Sequence, residues 1–324
     1  MSILDEKIRF IKKVFGATEF SRDGKNIAIK CPSEKCRGSG KKKLAIRVSD
    51  DRINCWVCGM RGKLIKVLKM YRSQQHIHEY ITKFSSQNFS TLIDEQEVEK
   101  QLQMPEGYRM LAIRSNSVDP RIQRAITYLK RRGLTERDLW YFKFGISSDP
   151  DLKDRVIMLS YSSEGSLNFY TARSLEKKPF RKYMNCDQQK KAIIFNEINI
   201  DWSKELTLVE GPFDLTKCDD NATTLLGSSL AEDSRLFFQI YKHKTPIILA
   251  LDSDMQEKEW QRIAKLLSLY DIPVKILDLK KFDDVGSMTK KDFLCAKECA
   301  VPWTRDVALL KKIQGMKPRR FLSN

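Results

Sequence analysis

The chain has 324 residues, of which 59 are Lys or Arg and 42 are Asp or Glu, giving a net charge of +17. Such an excess favours polyanionic partners, either nucleic acid or an acidic membrane surface. No apolar run reaches the ~18 residues of a spanning helix, and the acidic start MSILDEKIRF lacks a signal-peptide pattern, so the expectation is a cytoplasmic protein with no membrane partner.

Eight cysteines in that setting argue for metal ligation or free thiols rather than disulfides. Ile3, Ile8, Ile11 and Phe15, with Leu4 and Val14, trace one face of an N-terminal helix that Gly16 ends. Ile27/Ile29, Leu44/Ile46/Val48 and Ile53/Cys55 then alternate, which predicts a small antiparallel sheet. Cys31-x4-Cys36 is followed eighteen residues later by Cys55-x2-Cys58. Two close pairs across a hairpin-sized gap read as a zinc ribbon, with free or redox-active thiols as the alternative. Four protein ligands leave no open position, so this zinc would be structural. Lys30, Lys35, Arg37, Lys41, Lys42, Lys43, Arg47, Arg52, Arg61 and Lys63 surround it. Trp56 is either a core residue or an exposed platform for an unpaired base. Residues 64–84 read as an amphipathic helix. His76 and His78 are two apart, share no helix face and read as ordinary surface histidines. The module spans 1–85, and the polar stretch 86–107 reads as a linker.

Residues 108–205 form a basic α+β segment. Two helices break at Gly133, with Thr135 capping the second, and two strands within 155–175 flank a Ser-Ser-Glu-Gly turn. Arg173, Arg181, Lys182, Lys190 and Lys191 follow as a basic set. From 206 to 284 strands alternate with helices: 206–210, 223–227, 246–252 and 273–279 as strands, with 212–218, 231–243 and 257–270 as helices. That alternation predicts a mostly parallel sheet. Glu210, Asp252 and Asp254 close its strands, and Asp278, Asp283 and Asp284 lie at or beyond the last one. Ligands of open α/β sheets bind at these carboxyl ends, and converging carboxylates call for a hard cation such as magnesium. Singly, such acids also serve as helix N-caps. Residues 285–324 read as a helical tail in which Cys295 and Cys299 are core thiols. Cys186 and Cys218 stand alone, and neither reads as a nucleophile.

With these motifs in place, the chain resembles DnaG-type DNA primases, in particular the stand-alone primases of tailed bacteriophages. YLKRRGLTERDLWYFKFG, RVIMLSYSSEGSLNFYTARSLEKKPFRKYMN, LTLVEGPFDL and ALDSD are similar to the family's successive core motifs, in the family's order after a zinc ribbon. The resemblance implies a TOPRIM-type parallel sheet core of α/β class with an α+β basic subdomain, preceded by a small β-rich zinc-ribbon domain. It implies an RNA polymerase that makes short primers on single-stranded DNA from ribonucleoside triphosphates. Structural zinc would sit on Cys31, Cys36, Cys55 and Cys58. Magnesium or manganese would sit on Glu210, Asp252, Asp254 and Asp283, with Asp214 a further catalytic acid. Arg173, Lys182 and Lys190 would handle template and nucleotide. The chain departs from the family in three places. Cys36 stands at an x4 spacing where bacterial enzymes have Cys-x2-His. Met255-Gln256 follow the second acidic motif in place of Ala-Gly. The last motif, KKFDDVG, puts Lys281 at the first acidic position and Asp283 at the second, with Asp284 and Asp278 as alternatives. No G-x-x-x-x-G-K-[ST] occurs, and about 40 residues follow the last strand, so a separate replicative helicase is the expected partner, with a single-strand-binding protein a further candidate. The competing readings are a TOPRIM nuclease or topoisomerase and a non-catalytic single-stranded-DNA-binding protein.

Overall fold

The computed structural model describes residues 3–16, 18–21, 24–36, 41–70, 74–80, 83–84, 102–114, 116–252, 257–279 and 282–304. They belong to two compact units, Met1–Glu99 and Lys100–Asn324.

In the first unit, helix α1 (Ile3–Phe15) precedes β1 (Glu19–Phe20), β2 (Asn26–Ile29), β3 (Leu44–Arg47), β4 (Arg52–Cys55) and β5 (Arg61–Lys63). The five strands form an antiparallel meander in sequence order. The alternation that predicted the sheet is its burial pattern: Ile27, Ile29, Leu44, Ile46, Ile53 and Cys55 face inward, the other strand residues outward. Helices α2 (Leu64–Met70) and α3 (Gln74–Tyr80) occupy the stretch expected to be one helix. Beneath them Lys7 and Asp51, both almost wholly buried, pair at 3.2 Å. The Tyr80 hydroxyl donates to Asp51 Oδ2 at 2.6 Å, and Lys7 Nζ also donates to the Val48 carbonyl, so the buried charges are hydrogen-bonded.

The second unit begins earlier than expected. Residues 102–107, assigned to the linker, belong to its body: Leu102 packs on the core, Pro105 is buried, and the Glu106 carbonyl accepts from Ser147 Oγ at 2.5 Å. The rest of the expected linker lies outside the described residues. Strand β6 (Arg109–Met110) is followed by helices α4 (Pro120–Arg131) and α5 (Glu136–Tyr141). Asp119 caps α4 and Thr135 caps α5, the latter in a reciprocal capping box with Asp138. Strands β7 (Gly145–Ile146), β8 (Arg155–Tyr161), β9 (Leu167–Ser174) and β10 (Tyr183–Asn185) complete an antiparallel sheet of order β10-β9-β8-β7-β6.

The remaining strands are β11 (Leu206–Val209), β12 (Ala222–Thr224), β13 (Ile247–Leu249), β14 (Val274–Ile276) and β15 (Val301–Pro302), in the order β12-β11-β13-β14-β15. The first four are mutually parallel, as the alternation predicted. Helices α6 (Arg235–His243) and α7 (Glu257–Ser268) connect them, while α8 (Lys290–Glu298) leads into β15. Two expectations need correction. The helix expected at 212–218 is a 3-10 turn, Asp214–Lys217, because the segment joining β11 to β12 is short and Asp214 folds its side chain back onto the Gly211 N–H. The helical tail is only partly helical: β15 adds antiparallel to β14, pairing Ile276 with Val301 and Lys275 with Pro302. Pro302 is tolerated because β15 is an edge strand. One apolar core runs through both sheets, from Leu111 and Phe144 to Phe213, Ile248 and Phe293, so the expected subdomains 108–205 and 206–284 share one interior.

Candidate functional site

The sulfurs of Cys31, Cys36, Cys55 and Cys58 all lie within 4.8 Å of one another. Cys36 sits on the 3-10 turn Glu34–Cys36, with its N–H bonded to the Ser33 carbonyl, and Cys55 ends β4. Gly59 closes the second knuckle at φ +70, a left-handed conformation that glycine adopts freely, and its N–H reaches the Cys55 carbonyl at 3.0 Å. Two opposite sulfur pairs measure 3.7 Å (Cys31 to Cys58) and 3.8 Å (Cys36 to Cys55). Zinc at about 2.3 Å from each of four tetrahedral sulfurs sets edges of about 3.8 Å, whereas a disulfide brings sulfurs to about 2.05 Å. The site therefore fits structural zinc. Burial pushes the Cys31 and Cys36 thiols up in the absence of metal, and the Met60 backbone N–H draws Cys58 down to about 6. Trp56 is 77% exposed and is not part of the unit's core.

In the second unit, Glu210 directly follows β11 and Asp252 lies just beyond β13, at the carboxyl ends of two adjacent parallel strands. Their meeting is direct: the Asp252 N–H donates to Glu210 Oε1 at 3.2 Å. The Thr224 hydroxyl, at the end of β12, donates to the Glu210 carbonyl and holds its backbone in place. Asp254 lies outside the described residues. Asp214 accepts from the Gly211 N–H at 2.9 Å, and burial, with the nearby Asp284, pushes its carboxyl up to about 6. Gly286 marks how tightly this corner is packed. A Cβ there would stand 2.7 Å from Asp214 Oδ1, 3.5 Å from Arg132 Nη2 and 3.6 Å from Asp284 Oδ1. Asp284 is thus the acid of its turn that lies beside Asp214, while Asp283 and Asp278 are exposed. An all-oxygen donor set of this kind suits a hard cation. Among the described residues, only the four cysteines form a set of three or more groups within mutual ligand range.

Arg173 is the basic residue that the fold carries to these acids. Its guanidinium donates to the Tyr128 hydroxyl at 2.6 Å and to the Tyr183 hydroxyl, and lies 5.0 Å over the ring of Phe213, the neighbour of Asp214. Burial pushes Tyr183 up to about 12, so it stays a neutral donor and acceptor. Lys182 is exposed, with its ammonium 5.7 Å from the Tyr183 ring, and Lys190 donates to the Leu226 carbonyl at 2.8 Å. Neither makes a hydrogen bond to the acids among the described residues. The sequence reading omitted Arg132. It sits just past the end of α4, with its guanidinium 6.0 Å over the Phe213 ring, and acts with Arg173 to draw the Asp214 carboxyl down against burial. The available signal was its place in the basic Arg131-Arg132-Gly133 helix end, where it looks like an ordinary C-terminal charge. Beside it a cavity of about 610 Å³ is lined by Arg131, Arg132, Thr216, Lys217, Gly286 and Lys290.

The remaining cysteines divide differently from expectation. Cys295 and Cys299 are exposed on α8 and its cap rather than core thiols, because Phe293 and Ala296 take the inward positions of that helix. Cys186 and Cys218 are buried, and burial pushes both thiols up, Cys186 to about 11, as suits residues that are not nucleophiles.

No family model and no curated protein matches this sequence. Its structural neighbours are DnaG primase zinc-binding and catalytic core domains. The Aquifex aeolicus primase fragment comprising zinc-binding and RNA polymerase domains is 16% identical with a TM-score of 0.49, over 97% of this chain and 91% of that one. The DnaG primase catalytic domain bound to ssDNA is 17% identical with a TM-score of 0.49, over 71% and 84%. The RNA polymerase domain of Mycobacterium tuberculosis DnaG, in complex with a double-stranded DNA oligomer with a 6-nucleotide overhang, is 14% identical with a TM-score of 0.45, over 61% and 82%.

Proposed function

We propose that this protein is a DNA primase, a nucleotidyltransferase that synthesises short RNA primers on single-stranded DNA for replication. The observation that carries the reading is the Glu210–Asp252 contact at the carboxyl edge of the parallel sheet, with Asp214 and Arg173 beside it. Binding alone does not require half-buried acids where a polyanion must approach; phosphoryl chemistry does. Glu210, Asp252, Asp254 and Asp284 would hold magnesium or manganese, which when bound supplies Lewis-acid activation of the primer 3′ hydroxyl and charge neutralisation at the α-phosphate. Asp284 takes the position that the spacing of KKFDDVG assigned to Asp283. Arg173 and Arg132, fixed against Phe213, place positive charge where a triphosphate would lie, and Tyr128 and Tyr183 hold the Arg173 fork in orientation. Lys182 and Lys190 extend this charge toward the template strand. The zinc unit, with its exposed Trp56 and basic surface, would grip unpaired template. Partners under this reading are single-stranded DNA, ribonucleoside triphosphates, a separate replicative helicase and a single-strand-binding protein.

The test uses labelled ribonucleotides, single-stranded DNA and magnesium, with Glu210→Gln as control. Short RNA products that vanish in the variant are expected. DNA cleavage without synthesis would replace the reading with a nuclease, and binding without either reaction would leave a DNA-binding protein.

A further inference from the structure

The β9–β10 hairpin ends in a loop, residues 175–181, that the acid site does not use. Its root is fixed: Arg173 pairs with Tyr183 across the ladder, and the Ser174 N–H donates to the Lys182 carbonyl at 3.0 Å. Leu175 packs against the core. Beyond that point Phe180 is 100% exposed, the most exposed of the large hydrophobic side chains described. Lys177, Lys178, Arg181 and Lys182 flank it, all exposed, and none of the four forms an ion pair among the described residues. No other large apolar side chain is exposed on this loop among those described. A single ring without apolar neighbours is too small a patch for protein docking. It is, however, sufficient to stack on one base, and unneutralised cations around it suit the flanking phosphates. Pro179 fixes the backbone just before the ring and lowers the cost of holding it in place.

We infer that Phe180 is a base-stacking residue for single-stranded DNA, with Lys177, Lys178, Arg181 and Lys182 binding the phosphates on either side of the stacked base. The inference rests on the reading above that single-stranded DNA is the template, and it identifies where the strand passes beside the acid site. The loop's root carries Arg173, whose guanidinium lies 5.0 Å from Phe213, so a base held at Phe180 is tethered by one short hairpin to the reacting centre.

The experiment is fluorescence anisotropy of a labelled oligodeoxythymidylate with the full-length protein, without nucleotides, across a salt series. Phe180→Ala should weaken binding roughly 5- to 150-fold, the range for one lost stack. It should leave the slope of log affinity against log salt unchanged and leave the melting temperature unchanged, since a wholly exposed ring supports no packing. Phe180→Trp should restore affinity. Lys177→Gln with Arg181→Gln should instead flatten the slope by about 0.7 for each cation removed. Affinity of Phe180→Ala within about two-fold of wild type overturns the inference, as does a loss that tracks a lowered melting temperature. If the wild type makes primers while Phe180→Ala binds normally, only this inference falls. If the wild type binds no single-stranded DNA, both readings fall.

Discussion

At the scale of single residues, the acid corner is decided by a few ångströms. Asp283 and Asp284 are adjacent in sequence, yet Asp284 lies with Asp214 and Arg132 around Gly286 while Asp283 is exposed. Asp284→Asn should therefore cut primer synthesis on the order of 100-fold or more, whereas Asp283→Asn should stay within a few-fold of wild type; equal losses would return the role to both. Asp214 carries a second prediction. Its folded carboxyl titrates at about 6 against an ordinary 3.8, so between those values the folded state binds more protons than the unfolded one. Stability should then fall as pH rises from about 4 to 6, by on the order of 2 kcal/mol. In magnesium-free buffer, Asp214→Asn should remove that slope, and melting curves of both proteins across the window measure it. An unchanged slope in the variant would place the titration elsewhere.

At the scale of elements, each unit is held by devices of its own. In the zinc unit the metal and a buried ion pair do different work. Cys36→Ser should take bound zinc from one ion per chain to none and unfold the unit, because metal binding is folding free energy in modules this small. Retained zinc would remove Cys36 from the ligand set. Lys7→Met should destabilise the unit by roughly 3–5 kcal/mol with zinc still bound, since Asp51 is left charged and almost wholly buried without the Lys7 cation. A thermal shift of the zinc-loaded protein measures this. In the second unit, β15 covers the outer edge of β14 that the helices leave open, and the Trp303 N–H bonds the Val274 carbonyl at 2.8 Å to close it.

At the scale of the whole molecule, the proposed function makes the net charge of +17 the feature that would govern encounter with nucleic acid. Binding to single-stranded DNA should weaken steeply with salt, by about 0.7 in log affinity per log salt for each phosphate neutralised. Glu210→Gln should keep that slope while losing synthesis, because Glu210 sits among the acids and not among the cations proposed to meet phosphate. A slope near zero in the wild type would deny the basic surface its role.

Periodicity and spacing were enough to read the local features. Alternation at Ile27–Ile29 and Leu44–Val48 marks strands because side chains point to opposite faces every second residue. Strand–helix alternation from 206 to 279 marks a parallel sheet because parallel strands need crossovers. The cysteine pairs were equally legible, since two knuckles on one hairpin can meet only at a common point. What sequence could not settle depends on neighbours distant in the chain. Arg132 and Arg173 are about forty residues apart, and only packing shows that both lie over the same phenylalanine beside Asp214. The placement of Asp284 beside Asp214, the exposure of Cys295 and Cys299, and the addition of β15 to β14 are likewise features of the tertiary structure. One residue of register on a turn or helix sets which side chain faces inward, and that register is fixed by the core it packs against.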